Sequence, residues 1–390
     1  MHDVSAQHRA KGRRVTGLKF LPISKVWTGF ALLPVLAFLG ACAPTIRSAG
    51  EPVSPVSFIP ASVKSDPADP AGLSGYFQTA DGSLLALQSW LPGDLEGAAG
   101  TGMEVAGGAG DAAVSDNKGA VTPPTAVVLA LHGFGDYANG LAEAGQALRG
   151  QGIAVYAYDQ RGFGRSPSRG FWPGMTTLVQ DASDALMVLH HRYPDVPVYL
   201  AGVSMGAAVA TLTAATRPQL MDGVILVSPA VWDRGDMPWY QTLPLSVLSH
   251  SLPWLPVSGR GLEIWPSDNI EMLRRLSRDR NMLSSVRVDM VAGLADLMDR
   301  ARMRAGDLHL PVLLMTGRRD QVIPPSVMAG FARDLPKKGG KSGLDNGSAT
   351  ICVYEKGYHM LLRDLNGPHV IADMAAWIKG RAYSGSAQCR

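Results

Sequence analysis

The sequence predicts an α/β architecture: a mostly parallel, doubly wound sheet with a helical cap inserted late in the chain. Three observations carry this. From residue 126 onward, short apolar runs without polar alternation recur, which is the pattern of strands buried on both faces. Helix-like segments separate them, so that strand, helix and strand follow one another as in crossover units. One long stretch, residues 231–305, breaks that rhythm, with Trp232, Trp239, Trp254 and Trp265 among many Leu, Met and Pro. A chain of 390 residues, 46% hydrophobic and 18% charged, has the apolar material for one large core with insertions.

The chain begins with a leader. Residues 1–41 carry Arg9, Lys11, Arg13, Arg14, Lys19 and Lys25 against Asp3, a local +5 that leaves −2 for the rest of a chain of net charge +3. A near-neutral body gives no electrostatic ground for nucleic-acid binding. The basic segment runs into the uncharged VWTGFALLPVLAFLGAC, the layout of a secretory signal with small residues before the cut. Leu-Gly-Ala-Cys resembles the lipobox of bacterial lipoproteins, which makes residues 1–41 a signal peptide and Cys42 the lipidated first residue of the mature chain. An uncleaved anchor over residues 26–46 is the alternative, since about 20 apolar residues span a bilayer, although Pro34 and two glycines weaken such a helix. Both readings put the body in the cell envelope, on the periplasmic face. Ala43, rather than Asp, after Cys42 resembles outer-membrane sorting in Gram-negative bacteria.

Residues 42–70, rich in Pro, Ser and Ala, read as a tether. A hairpin follows, GYFQT and LLALQSWLP around the Asp81-Gly82 turn. Residues 93–123 are Gly/Ala-rich without an apolar period and read as a disordered insertion. The first part of the core, residues 71–230, then takes its strands from AVVLALH, IAVYAYD, VYLAG and GVILVSP, with helices over 137–149, 176–193 and 205–216. Residues 231–305 form the cap. The second part, 306–382, adds the strands PVLLMTG and ATICVYE and a helix over 370–379, before a tail at 383–390. KKGGKSGLDNGS, ahead of the last strand, reads as a surface loop. Two cysteines remain besides Cys42. Cys352 falls in a strand and reads as a small buried hydrophobe, and Cys389 lies in the tail; nothing in the sequence supports a disulfide between them. No Cys–His spacing fits zinc, and no metal or organic cofactor is expected.

The chemistry centres on LAGVSMGAAVA. Gly202-Val203-Ser204-Met205-Gly206 follows a strand and opens a helix, the setting of a G-x-S-x-G nucleophile elbow. A serine hydroxyl is a weak nucleophile and needs a base oriented by a third group. Asp320 ends VLLMTGRRD, just after a strand, and His359 ends VYEKGYH, just after the next one; both fall at the sheet edge that carries Ser204. Asp307 and His309 precede their strand and belong to the opposite edge, and His369 opens a helix. The acyl-transfer transition state needs fixed donors for its oxyanion: the backbone N–H of Met205, and that of Phe134 in the loop HGFGD. His132 in that loop reads as a structural hydrogen-bonder. Asp159 and the glycines of YDQRGFGRS read as fixing a neighbouring turn.

Taken in order, ALHGFGD, YDQRGFGRS, AGVSMGA, TGRRDQVIPP and YEKGYHML resemble the monoacylglycerol lipase and lysophospholipase branch of the α/β-hydrolases, over residues 75–92 and 125–380. The resemblance is weakest across the cap, and the leader, the 93–123 insertion and the loop near 340 depart from it. It implies an α/β-hydrolase fold and a Ser204–Asp320–His359 triad that cleaves lipid esters. Esterases, thioesterases and serine peptidases share the same motifs, so these remain alternatives, as does a non-catalytic envelope lipoprotein that binds lipid or a partner. An apolar, Trp-rich cap could hold a fatty acyl chain, each buried CH₂ contributing about 0.8 kcal/mol. Alternatively, its aromatic residues pack the cap helices together. The expected partners are a lipid ester substrate and a membrane, reached through the anchor at Cys42.

Overall fold

Ten strands form one sheet among the residues that can be described. The structure is a computed structural model and describes residues 56–60, 73–93, 123–259, 263–336, 349–380 and 387–389. The signal and Cys42 lie outside these residues, as do most of the tether and nearly all of the 93–123 insertion.

The strands are β1 (Ser57–Pro60), β2 (Gly75–Gln78), β3 (Leu84–Trp90), β4 (Ala126–Leu131), β5 (Ile153–Tyr158), β6 (Val198–Val203), β7 (Gly223–Val227), β10 (Val312–Gly317), β11 (Ala349–Tyr354) and β12 (Gln388–Cys389). The missing numbers are a two-stranded ribbon of the cap, β8 (Pro256–Val257) with β9 (Val286–Arg287). In space the order is β1-β2-β3-β5-β4-β6-β7-β10-β11-β12. The six strands from β5 to β11 run parallel, and β1–β3 and β12 add antiparallel edges. This is the expected mostly parallel sheet.

Its two faces can be read from β4. Val127, Leu129 and Leu131 point into one core, covered by α2 (Met175–Arg192), α3 (Met205–Thr216), α6 (Val288–Met303) and α7 (Pro325–Asp334). Ala126, Val128 and Ala130 point into the other, covered by α1 (Ala142–Arg149) and α8 (Gly367–Ile378). Burial on both faces is why these strands are apolar throughout rather than alternating. The elements that deliver chemistry, the ends of β4, β6, β10 and β11, all open at one edge.

Three features differ from the sequence expectation. Ser57–Pro60, inside the stretch read as tether, is a strand paired to β2, with Phe58 stacked on Tyr156 at 5.2 Å. The tail is also pinned: Cys389 pairs in register with Cys352 and the two form a disulfide. The cap is helical, with α4 (Trp239–Ser251), α5 (Ile270–Leu276) and α6, but its segments behave differently. Helix α6 inserts Met290, Leu297 and Ala301 into the main core, whereas α4 buries none of its residues. Trp239 (74% exposed) and Trp254 (60%) therefore do not pack the cap together. Among the described residues, no helix is long and apolar enough to cross a membrane.

Candidate active site

Ser204 sits at the sharp turn between β6 and α3, with φ 53° and ψ −114°, a conformation that non-glycine residues rarely adopt. The surrounding backbone enforces it. Ser204 N–H donates to Val227 O at 3.0 Å, while Ser204 O accepts from Ala207 N, Ala208 N and Ala230 N at 3.0–3.1 Å. The bracketing glycines are required by contact distance. A Cβ on Gly202 would lie 2.3 Å from Gly206 O, and one on Gly206 would lie 2.2 Å from Leu131 O. The small residues at 202 and 206 thus let helix and strand approach until the serine is driven out above the sheet.

The structure brings His359 and Asp320 to this serine. His359 Nε2 is 2.9 Å from Ser204 Oγ, and Nδ1 is 2.8 Å from Asp320 Oδ2. The other carboxylate oxygen, Oδ1, accepts from the backbone N–H of Val322 (2.8 Å) and Ile323 (2.9 Å). An ionised carboxylate can only accept, so the proton between it and the imidazole is on Nδ1, and Nε2 is left to accept from the serine hydroxyl. The loops after β10 and β11 meet closely: a Cβ on Gly317 would be 2.3 Å from Gly357 O. Arg319 N–H bonds Gly357 O at 2.9 Å. Of the competing residues, Asp307 ion-pairs with Arg304 at 2.7 Å ahead of β10, and His369 lies within α8.

The loop after β4 passes directly beside the serine. A Cβ on Gly133 would stand 3.5 Å from Ser204 Cβ, so the loop that carries Phe134 runs in contact with the serine. Met205 opens α3, where an amide has no acceptor within the helix and the helix dipole favours negative charge. The loop is fixed from beneath by His132, which is buried. His132 Nδ1 lies 2.9 Å from Gly133 O, and Nε2 accepts from Gln160 N–H at 2.8 Å. Burial lowers the pKa of this imidazole and favours its neutral form. Asp159 accepts from Ala138 N–H (2.9 Å) and Arg165 N–H (2.8 Å), tying the YDQRGFGRS turn to the same loop.

Above these groups is a cavity of about 790 Å³ between sheet and cap. Ser204, His359 and Phe134 form part of its floor, and Leu273, Met282 and Met298 are among the cap side chains that make it apolar. Phe134 lines the space and also packs edge-on against Phe163, with ring centroids 5.4 Å apart. One wall carries Asp136, paired to Arg363, and Asp279, which accepts from Tyr137 Oη at 2.6 Å. The sequence marked Trp232 among the cap residues that line this space, but for Leu273, Met282 and Met298 its only signal was the apolar composition of 231–305. Nor did it single out the Val322 and Ile323 amides, since backbone donors leave no mark in a sequence.

An open, mostly parallel sheet with a half-buried serine in a strained conformation on a strand–helix elbow, under a cap, defines an α/β-hydrolase. Residues 122–366 match the family described as serine aminopeptidase, S33, and the chain belongs to that family. It is 28% identical to human monoglyceride lipase over 269 residues, 68% of this chain and 86% of that protein. It is 25% identical to the monoacylglycerol lipase of Mycolicibacterium smegmatis over 269 residues, 66% of this chain and 89% of that protein. Two solved structures share the fold. The Paleococcus ferrophilus monoacylglycerol lipase has a TM-score of 0.57 at 22% identity, covering 76% of this chain and 99% of that one. A soluble variant of Saccharomyces cerevisiae monoglyceride lipase, in complex with a substrate analogue, has a TM-score of 0.60 at 16% identity, covering 77% and 92%.

Proposed function

We propose that this protein is a serine hydrolase that cleaves the carboxylic ester of a single-acyl glycerolipid, a monoacylglycerol or lysophospholipid, while held at a membrane by a lipid on Cys42. The observation that carries the reading is the Ser204–His359–Asp320 hydrogen-bond chain at the floor of an apolar, cap-covered cavity. The acyl chain occupies the apolar part of that cavity. Ser204 Oγ attacks the ester carbonyl as Nε2 of His359 takes the hydroxyl proton, and Asp320 stabilises the imidazolium that results. The oxyanion lies on the amides of Met205 and Phe134. Collapse breaks the ester C–O bond, and the imidazolium returns its proton to the departing glycerol oxygen. Water then attacks the acyl-serine by the same proton route, releasing the fatty acid. No step draws on a metal or organic cofactor.

Three features support the membrane assignment. The leader ends in Leu-Gly-Ala-Cys42, which resembles a lipobox. The Cys352–Cys389 disulfide fits an oxidising compartment such as the periplasm. On the cap, Trp239, Tyr240, Leu243 and Val247 of α4 are exposed, an apolar and aromatic surface suited to the bilayer interface. The family's description names a peptidase, and this second reading is separated by substrate. Purified full-length protein in detergent is assayed against monoacylglycerols, lysophospholipids, thioesters and aminoacyl amides, with Ser204→Ala as the control. Hydrolysis of the first two, reduced about four to six orders of magnitude by Ser204→Ala, is expected. Faster cleavage of aminoacyl amides would replace this reading with the peptidase.

A further inference from the structure

The catalytic loops are bridged by a short segment of the cap that lies outside the hydrogen-bond chain just described. Residues 265–269 form an irregular strap ahead of α5 and touch both. At its first residue, Trp265 N–H donates to Gln321 Oε1 at 2.9 Å, and Gln321 directly follows Asp320. The remaining bonds go to the turn that follows β11. Met360 N–H donates to Pro266 O at 2.8 Å, and Met360 directly follows His359. Asn269 Nδ2 donates to Arg363 O at 3.0 Å, and Leu365 N–H donates to Asp268 Oδ1 at 2.9 Å.

At the centre of the contact is Asp364, which is buried. Its Oδ1 accepts from Ser267 Oγ of the strap at 2.6 Å, and Ser267 is buried too. Its Oδ2 accepts from Tyr358 N–H at 2.6 Å, one residue before His359. One carboxylate therefore joins the cap to the backbone immediately preceding the imidazole, and Met360 holds the backbone immediately after it. A carboxylate accepting two charge-assisted bonds fixes both donors more firmly than a neutral acceptor would.

We infer that Asp364, with the strap residue Ser267, is a positioning device that sets the His359 imidazole against Ser204 and makes its placement depend on the seating of the cap. The inference rests on the role proposed above for His359. Asp364 does not touch the substrate. It acts by holding the Tyr358–His359–Met360 backbone between two anchors, so that Nε2 stays within reach of the serine hydroxyl. Without it, the Tyr358 amide and the Ser267 hydroxyl lose their buried acceptor, and the turn is free to shift by a fraction of an ångström. Misplacement on that scale is costly to a proton transfer that needs hydrogen-bond distance.

The test uses Asp364→Asn, Asp364→Glu, Ser267→Ala and the double variant Asp364→Asn/Ser267→Ala in the full-length protein, with His359→Ala as reference. Ester hydrolysis of the Asp364 and Ser267 variants is normalised to the serine that a fluorophosphonate titrates to completion, which removes any loss from misfolding, and His359→Ala, which labels slowly, is normalised to folded protein by circular dichroism. Asp364→Asn is expected to lower kcat about 10- to 100-fold with KM within twofold, and to move the acid limb of the kcat/KM profile, which reports the histidine. Ser267→Ala lowers kcat less, the double variant is no worse than Asp364→Asn alone, and Asp364→Glu recovers part of the rate. An Asp364→Asn protein whose titrated sites turn over at the wild-type rate with an unmoved acid limb overturns the inference. If His359→Ala remains inactive in that experiment, the reading of the triad survives it. If His359→Ala turns over normally, that reading fails instead, and the inference with it.

Discussion

Reduction of the Cys352–Cys389 disulfide should weaken the fold far more than it weakens catalysis. The bond closes a loop of sequence separation 37. Loop-closure entropy for that length gives the unfolded chain about 4 kcal/mol of freedom on reduction. Among the described residues, only partial packing of Ala387 and Cys389 and the two-residue pairing of β12 through Gln388 and Cys389 also retain the tail. Ordering each residue costs about 1–2 kcal/mol, so reduced β12 should detach. The His359 loop should not follow it. Strand β11 remains paired to β10 over six residues, and the Gly317–Gly357 contact lies on the side away from β12. The assay is urea unfolding of wild type and Cys389→Ser, each with and without reductant, alongside ester hydrolysis at 25 °C. Wild type should lose about 4 kcal/mol in reductant and Cys389→Ser should show that loss without it, while the rate at 25 °C changes less than about twofold. A wild-type unfolding curve that reductant does not move would refute the reasoning.

Three further outcomes follow from the site. For p-nitrophenyl esters of increasing chain length, kcat/KM should rise about fourfold per methylene until the apolar cavity is filled, since each buried CH₂ contributes about 0.8 kcal/mol; a profile that falls beyond acetate would contradict acyl binding under the cap. Gly206→Ala places a Cβ against Leu131 O at 2.2 Å, so α3 must move, and stability should fall by about 1–3 kcal/mol with a loss in kcat on the order of 100-fold. Denaturation and rate measurements on that variant check both. His132, whose pKa burial lowers from 6.5, takes up a proton on unfolding below that pH. Its contribution to stability is complete above pH 6.5 and is lost as pH falls, with a slope of at most about 1.4 kcal/mol per pH unit. In a folded His132→Asn protein the loss of stability below pH 6.5 should be shallower, and urea unfolding across that range checks it.

Most of the sheet was legible because strands buried on both faces are written as continuous apolar runs, and AVVLAL, IAVYAY and VLLMTG leave no other reading. The triad residues were legible for a related reason. Once β6, β10 and β11 are placed, the loops after them must share an edge, and Ser204, Asp320 and His359 stand in those loops. β1 was not legible: SFIP is four residues long, sits among prolines and declares itself only by pairing with β2. The disulfide was hidden because its partners meet through a strand too short to leave a pattern. Helix α7 begins at a proline after a polar loop, and its apolar residues could be placed only against a core already built. The cap resisted for the opposite reason to the sheet. Its α4 exposes large apolar residues that a sequence reading assigns equally to packing or to an interface. The strap at 265–269 left no mark in the sequence beyond Trp265, and its Asn269 caps α5 by accepting from Met272 N–H at 3.1 Å.

The most direct test is covalent labelling of full-length protein by a fluorophosphonate, followed by mapping of the modified residue. A single adduct on Ser204 is expected, absent in Ser204→Ala and formed at least about 100-fold more slowly in His359→Ala. An adduct elsewhere, or unimpaired ester hydrolysis by Ser204→Ala, would contradict the triad assignment.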